Sequence, residues 1–286
     1  MVTPYPGRDA ENLLSRLVHQ PAIVVWVAST RGSVPRATGV WMAVFPDAVV
    51  ATIGGGNLEY QAIAKARARL RAMREGGRQQ AAHGVERFSL GPALGQCCGG
   101  MVDLCFEPVT AGDAAELALR LAPALTPVAL FGGGHVGHAL VQVLAPLPFQ
   151  VTWIDSRDAV FPDSVPAGVV CEHSSPPQAA VAGLAPHSRV LIMSFSHAED
   201  LGVVATCLQR LRDKADLPYI GLIGSKTKWA TFRRRLEARG FCAAELAHVT
   251  CPIGIPGISG KEPEVIAVAV AAQLLRTLGD PKHRVL

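Results

Sequence analysis

The sequence predicts an α/β protein, with an N-terminal mixed α/β domain followed by a C-terminal Rossmann-like domain carrying a mainly parallel sheet. Three observations lead there. Residues 127–155 run from an apolar β-rich stretch, Val128 to Phe131, through the loop Gly132-Gly133-Gly134-His135-Val136-Gly137 into a helix-like segment. A second strand then ends on Asp155. From residue 127 onward strands alternate with helices, as expected of crossover units on a parallel sheet. Before it lies a hairpin signal, Pro46-Asp47 between two apolar runs, followed by a long helix and a half-buried alternating strand.

In chain order, 11–19 reads as a short helix and Ala22 to Ala28 as a buried strand. A polar, glycine-punctuated loop covers 29–39. Trp41 to Phe45 and Ala48 to Ile53 form the hairpin. Gly54-Gly55-Gly56 then leads to Asn57, the expected N-cap of a helix running to about Met73. Arg87 to Leu90 and Met101 to Phe106 are strands on either side of Gly95-Gln96-Cys97-Cys98-Gly99-Gly100. Prolines at 108, 123 and 127 flank a short helix, Asp113 to Leu121. The predicted organisation is therefore a domain over 1–110, a linker over 111–126 and a Rossmann-like domain over 127–286. Beyond Asp155, strands are expected at 169–171, 189–195 and 219–223. Ser196-His197-Ala198-Glu199 has the form of a capping box at the start of a helix. Gly224-Ser225-Lys226 opens a basic helix to Arg239. The loop 251–260 is an ordered one, because isoleucines stand between its glycines, and Pro263 begins the last helix.

Apolar residues make up 49% of the chain and charged ones 17%, so a sizeable core is available. A net charge of +4, spread along the chain, does not point to nucleic acid. The longest apolar helical run, Val265 to Leu275, is too short to span a bilayer, and the first residues lack the apolar core of a secretory signal. The seven cysteines have neither a disulfide framework nor zinc-ligand spacing, which fits a reduced, cytoplasmic setting.

Five glycine-rich loops each follow a strand: 29–39, 54–57, 95–100, 132–137 and 224–226. Such loops offer backbone N–H groups to an anion, and they also simply turn corners. In the loop 132–137, Gly132 makes the tight turn, Gly134 admits an anion to the backbone, and Gly137 lets helix and strand pack. Asp155 stands where a ribose diol or similar edge would be read. Arg36 can fork onto a phosphate or carboxylate, or lie solvated. Cys97 and Cys98, framed by glycines, are either accessible thiols able to ligate a soft metal or plain buried residues. His197 sits at the carboxyl end of a strand, where ligands bind in open α/β sheets. Ser225 and Lys226 open a helix that can meet a phosphate.

Taken together these motifs resemble the XdhC/CoxI family over nearly the whole chain. The resemblance rests on Gly32-Ser33-Val34-Pro35-Arg36, Ile53-Gly54-Gly55-Gly56-Asn57-Leu58-Glu59 and Leu94-Gly95-Gln96-Cys97-Cys98-Gly99-Gly100. It continues with Gly132 to Gly137, Ile154-Asp155-Ser156-Arg157, Ser196-His197 with Asp200, Ile220 to Lys226, and Pro252-Ile253-Gly254 with Pro263-Glu264, in order. Ser194 and Phe195 depart from the threonine-rich strand end expected before the histidine. The resemblance implies a chaperone that binds the molybdenum cofactor, a molybdenum-bearing pterin dithiolene. It would hold the cofactor while a cysteine desulfurase supplies sulfur, and insert it into apo-xanthine dehydrogenase or a related molybdenum hydroxylase, often as a homodimer. It implies cofactor-binding roles for Arg36, Gly54, Gly55, Gly56, Cys98, Gly99, Gly132, Gly134, Gly137, Asp155, His197, Ser225 and Lys226, with Cys98 as the metal ligand. The alternatives are an NAD(P)-dependent oxidoreductase, with His197 as acid/base, and a binding-inert partner domain. The first would retain nicotinamide and the second would retain no ligand.

Overall fold

The computed structural model describes residues 7–32, 37–76, 83–90, 100–122 and 125–279. It has two compact units, one ending at Pro123 and one beginning at Ala124.

In the first unit, α1 (Gly7–Leu17) precedes β1 (Ala22–Arg31), β2 (Trp41–Val44) and β3 (Val49–Ala51). Then come α2 (Gly56–Arg74), β4 (Gly84–Ser89), β5 (Met101–Val109) and α3 (Ala114–Leu121). The strands form one antiparallel sheet in the order β3-β2-β1-β5-β4. The uninterrupted apolar run of β1 is explained by cover on both faces. Ile23, Val25 and Val27 pack with Leu58, Ala62, Ala66 and Leu70 of α2. Ala22 and Val24 pack on the other face with Leu13 and Leu17 of α1 and Leu117 and Leu121 of α3. The helix expected as part of a linker is thus core to this unit: Leu117 is 1% exposed, and the compact unit runs on to Pro123. A further difference lies at the head of α2, where the N-cap is Gly55 and the helix begins at Gly56, ahead of the expected Asn57.

The second unit contains β6 (Thr126–Phe131), α4 (His135–Leu144), β7 (Phe149–Asp155), β8 (Val169–His173) and β9 (Arg189–Ile192). These are followed by α5 (His197–Lys214), β10 (Tyr219–Leu222), α6 (Lys226–Glu237), α7 (Ala243–Leu246), β11 (Val249–Thr250) and α8 (Pro263–Gly279). All six strands are parallel, in the order β11-β10-β9-β6-β7-β8. Both faces are again covered. Phe131, Ile154, Ile192 and Ile220 pack with α5 and α6, while Leu130, Trp153, Leu191 and Tyr219 pack with α4 and α8. The chain leaves β6 for β7 on one side and reaches β9 on the other. The carboxyl ends of β6 and β9 are therefore the topological switch point, where open α/β sheets bind ligands. The pattern missed α7 and the two-residue β11, both too short for any periodicity to register.

Among the described residues no helix is long and apolar enough to cross a membrane.

Candidate functional site

The glycine loop after β6 sits at the switch point, and its three motif glycines are there for different reasons. A Cβ on Gly132 would lie 2.1 Å from the Met193 carbonyl oxygen, and its φ of 127° suits glycine alone. A Cβ on Gly137 would lie 2.1 Å from the Gly132 carbonyl oxygen, so α4 packs against the loop only without one. Gly134 is unlike both. It has extended backbone (φ −82°, ψ −177°), and a Cβ there would meet nothing within 4 Å. Nothing in the fold requires glycine at 134; what its missing side chain provides is open space at the mouth of a helix.

The first turn of that helix also lacks a side-chain cap, as does that of α2 in the first unit. Gly134 is the N-cap of α4 and makes no capping hydrogen bond. The neighbouring helices on the same sheet edge cap themselves: Ser196 Oγ accepts from Glu199 N (3.2 Å), and Ser225 Oγ accepts from Lys228 N (3.1 Å). The first N–H groups of α4 are left for water or a ligand, at the positive end of the helix dipole.

Asp155 is placed at the end of β7, 3% exposed, but its partners are internal. Its Oδ2 accepts from Gly133 N (2.6 Å) and Arg157 Nη2 (3.0 Å), and its Oδ1 accepts from Arg157 N (2.8 Å) and Nε (2.9 Å). A carboxylate offers about four acceptor sites, and four donors fill them. Through these bonds Asp155 anchors the loop. Burial pushes its carboxyl upward, but hydrogen bonds from Arg157 and the backbone outweigh that, and the pKa lies below the ordinary carboxylate value. Arg157 in turn stacks on Phe195, 4.4 Å from the ring centroid, and Phe195 is 69% exposed. Beside this contact Ser156 Oγ donates to Glu199 Oε1 (2.7 Å). Since β6 lies between β7 and β9, both contacts bridge over the carboxyl end of β6. The capping box expected at 196–199 is accordingly only half formed, Glu199 having turned to Ser156.

Next to the bridge, Ser194 Oγ is buried with no hydrogen-bond partner. Its backbone N–H donates to Asp200 Oδ1 (2.8 Å), and Asp200 Oδ2 accepts from Lys228 Nζ (2.6 Å). Lys228 Nζ also donates to the Ile223 carbonyl (2.8 Å), and Cys251 Sγ lies 3.9 Å from the Gly224 carbonyl. Burial raises the Cys251 thiol, the first of its influences, with Lys228 acting in the opposite sense. Lys228 is thus the inward-facing lysine of this loop, while Lys226 is exposed. His197 is exposed at the first position of α5, its ring 6.2 Å from that of Phe232. Ser225 is committed to its capping bond.

The other glycine loop, 54–56, is closed by the chain itself. Gly54, Gly55 and Gly56 all have positive φ, and Glu59 Oε2 accepts from Ile53 N and Gly55 N (3.1 Å each) and from Thr52 Oγ1. Gly54 N donates to Thr52 Oγ1 (3.1 Å). The nest expected to hold a ligand anion holds a carboxylate of its own helix. Arg36, Cys97, Cys98 and Gly99 lie outside the described residues. Among the described residues no group of three or more His, Cys, Asp or Glu is placed to hold a metal ion.

Sequence reasoning passed over Arg157 as a site residue, though an acid and a base two positions apart at a strand end face the same way and can pair. Lys228, which like Lys226 follows Gly224-Ser225 at a helix start able to meet a phosphate, instead turns inward to Asp200, 28 residues away.

Comparison with known proteins places this geometry. Residues 128–274 match the family model of the XdhC Rossmann domain, and residues 16–84 match that of the XdhC and CoxI family. The chain is 27% identical over 259 residues to YqeB of Escherichia coli K12, itself described as uncharacterized. The match covers 90% of this chain and 43% of that protein, so the chain spans less than half the length of this curated relative. A Bacillus halodurans protein, whose crystal structure is described as that of a xanthine dehydrogenase, superposes with a TM-score of 0.73 at 20% identity. It covers 94% of this chain and 95% of its own, a likeness of fold.

Proposed function

The chain belongs to the XdhC and CoxI family, and from that membership we propose that it is a molybdenum cofactor-binding chaperone rather than a turnover enzyme. In this reading it receives the cofactor, holds it while a cysteine desulfurase delivers sulfur, and passes it to xanthine dehydrogenase or a related molybdenum hydroxylase. It acts in the cytoplasm, as a homodimer. The observation that carries the reading beyond family membership is the pairing of open space at Gly134 with the uncapped first turn of α4.

The residues at the switch point fit a phosphate-bearing ligand. The free N–H groups at the head of α4 take the pterin phosphate, as helix starts take anions generally. Ser194 Oγ, buried and unpartnered, is a further polar group waiting for a partner. Asp155 does not meet the ligand; it fixes Gly133 and Arg157, and so shapes the loop. The cofactor supplies the molybdenum and its dithiolene, and Cys98 is the thiolate proposed to meet that metal. His197 and Lys226 contribute charge and polarity at the same sheet edge, and the cofactor-binding roles of Arg36 and Gly99 are those that family membership implies.

An NAD(P)-dependent oxidoreductase is the competing reading. The internal partners of Asp155 count against it, because the acceptor that would read the adenosine ribose is filled.

The test is anaerobic loading with molybdenum cofactor, followed by desalting and assay of molybdenum and oxidised pterin, for the natural chain and Cys98→Ala, with NAD(H) in parallel. Retention of both near one per chain, lowered by Cys98→Ala, supports the proposal. Tight NAD(H) without pterin sinks it.

A further inference from the structure

The basic residues of α2 divide into two sets with different surroundings. Lys65 and Arg69, one turn apart, both reach Glu86, at 2.5 and 2.7 Å, and lie over the rings of Phe88 and Phe106. Arg67, Arg71 and Arg74 follow a different line down the helix. Together with Leu70 and Pro46 they line a cavity of about 230 Å³ between α2 and the turn after β2. Among the described residues no carboxylate makes a salt bridge to any of the three. The acid in the adjoining turn, Asp47, accepts from Gln20 Nε2 (2.9 Å) and pairs with Arg16 (3.8 Å); it feels the charge of Arg67 without forming a salt bridge to it.

A solvated helix end would account for part of this. Arg71 and Arg74 are exposed and lie in the last turn, where a cation is favoured by the helix dipole. That account stops at Arg67. The dipole effect fades within the last turn, and Arg67 stands seven residues before the end of α2. Its Nε is buried with no hydrogen-bond partner. A buried donor left unpaired is destabilising, more so on a charged group. Like charges at i and i+4, as in Arg67 and Arg71, repel as well.

We infer that this cavity is an anion site that takes the phosphate or pyrophosphate end of a small molecule. Size admits that class: a cavity of about 230 Å³ has room for a phosphate or pyrophosphate group. Chemistry selects it, because guanidinium groups bind phosphate oxygens in two-pronged, charge-assisted pairs. This site is separate from the loop at Gly134 and does not depend on the function proposed above.

Arginine labelling by phenylglyoxal, read residue by residue by mass spectrometry with pyrophosphate as the probe, tests the inference. At about 0.15 M salt, where loose surface attraction is largely screened, pyrophosphate should slow labelling of Arg71 and Arg74 by about five-fold or more. Arg239, an exposed arginine of the other unit, should be unaffected. Arg67→Gln should relax the protection of Arg71 and Arg74, while Gly134→Ala should leave it intact. Unchanged labelling with pyrophosphate, or slowing no greater than at Arg239, overturns the proposal. So does protection that survives Arg67→Gln, or that disappears in Gly134→Ala.

Discussion

Replacing Asp155 by asparagine tests the claim that this residue holds the glycine loop rather than a ligand. Asparagine keeps the shape but one acceptor oxygen. If that oxygen faces Arg157 N and Nε, the amide NH2 faces Gly133 N–H and Arg157 Nη2, donor against donor. Gly133 N–H is then buried without an acceptor, at about 1–3 kcal/mol, and charge-assisted bonds worth roughly 1.5–3 kcal/mol are weakened. Arg157 is partly exposed and can turn to water, so the net loss is roughly 2–4 kcal/mol. The assay is urea unfolding followed by hydrogen exchange on peptides from the unit that begins at Ala124, which keeps the other unit out of the measurement. The sign of the pH dependence is fixed. The folded pKa lies below the ordinary value, so Asp155 stabilises fully above the ordinary carboxylate range, and its contribution is lost as pH falls through the folded value. The gap between natural chain and variant should be constant at neutral pH and close in acid. A loss under about 0.5 kcal/mol, or a gap that persists when the carboxylate is protonated, would refute the anchoring role.

Four further outcomes follow from the same geometry. Gly134→Ala should keep stability within about 1 kcal/mol, since its backbone suits alanine and only the N-cap preference changes, yet bind cofactor about ten-fold more weakly in the loading assay. Gly132→Ala should lose several kcal/mol in a thermal melt, because its φ of 127° and a Cβ 2.1 Å from a backbone oxygen leave no relief. Glu59→Gln should destabilise the first unit by roughly 1–3 kcal/mol in urea, as the nest of Ile53 N and Gly55 N loses its charged acceptor. Under alkylation of the native protein, exposed Cys242 should react early. Cys207, fully buried with its thiol pushed up to about 12, should react only on unfolding.

The fold was legible wherever burial imposed a pattern. β1 and β6 read as continuous apolar runs because each is covered on both faces. The first helix of the Rossmann-like unit declared itself through Gly132 and Gly137, which the packing does require. Less legible was the stretch after β5. Prolines at 108, 123 and 127 suggested a linker, yet Leu117 and Leu121 bury against α1, and a short amphipathic helix carries no mark of which core it joins. The N-cap of α2 lies two residues ahead of Asn57 for a comparable reason: asparagine is the better cap by propensity, but the positive-φ glycines bring the chain round early, and Gly55 takes the position.

The site was legible only in part, and the reason lies in the chain's own carboxylates. Glycine loops advertise unpaired N–H groups, but sequence does not reveal whether an internal acid reaches them first. At 54–56, Glu59 does so from one turn into its own helix. At 132–134, Asp155 does so from the neighbouring strand and takes Gly133 alone. The same physical attraction that makes such loops anion sites therefore closes one of them and trims the other. What remains open is the N–H set at the head of α4, beside a glycine that the fold does not need and a serine hydroxyl without a partner. A protein that kept those groups free only for solvent would gain by capping α4 as it caps α5 and α6, with a serine in place of Gly134, at about 1 kcal/mol per cap. That the cap is missing at the switch point, and present on α5 and α6 at the same sheet edge, is the structural argument for the ligand proposed there.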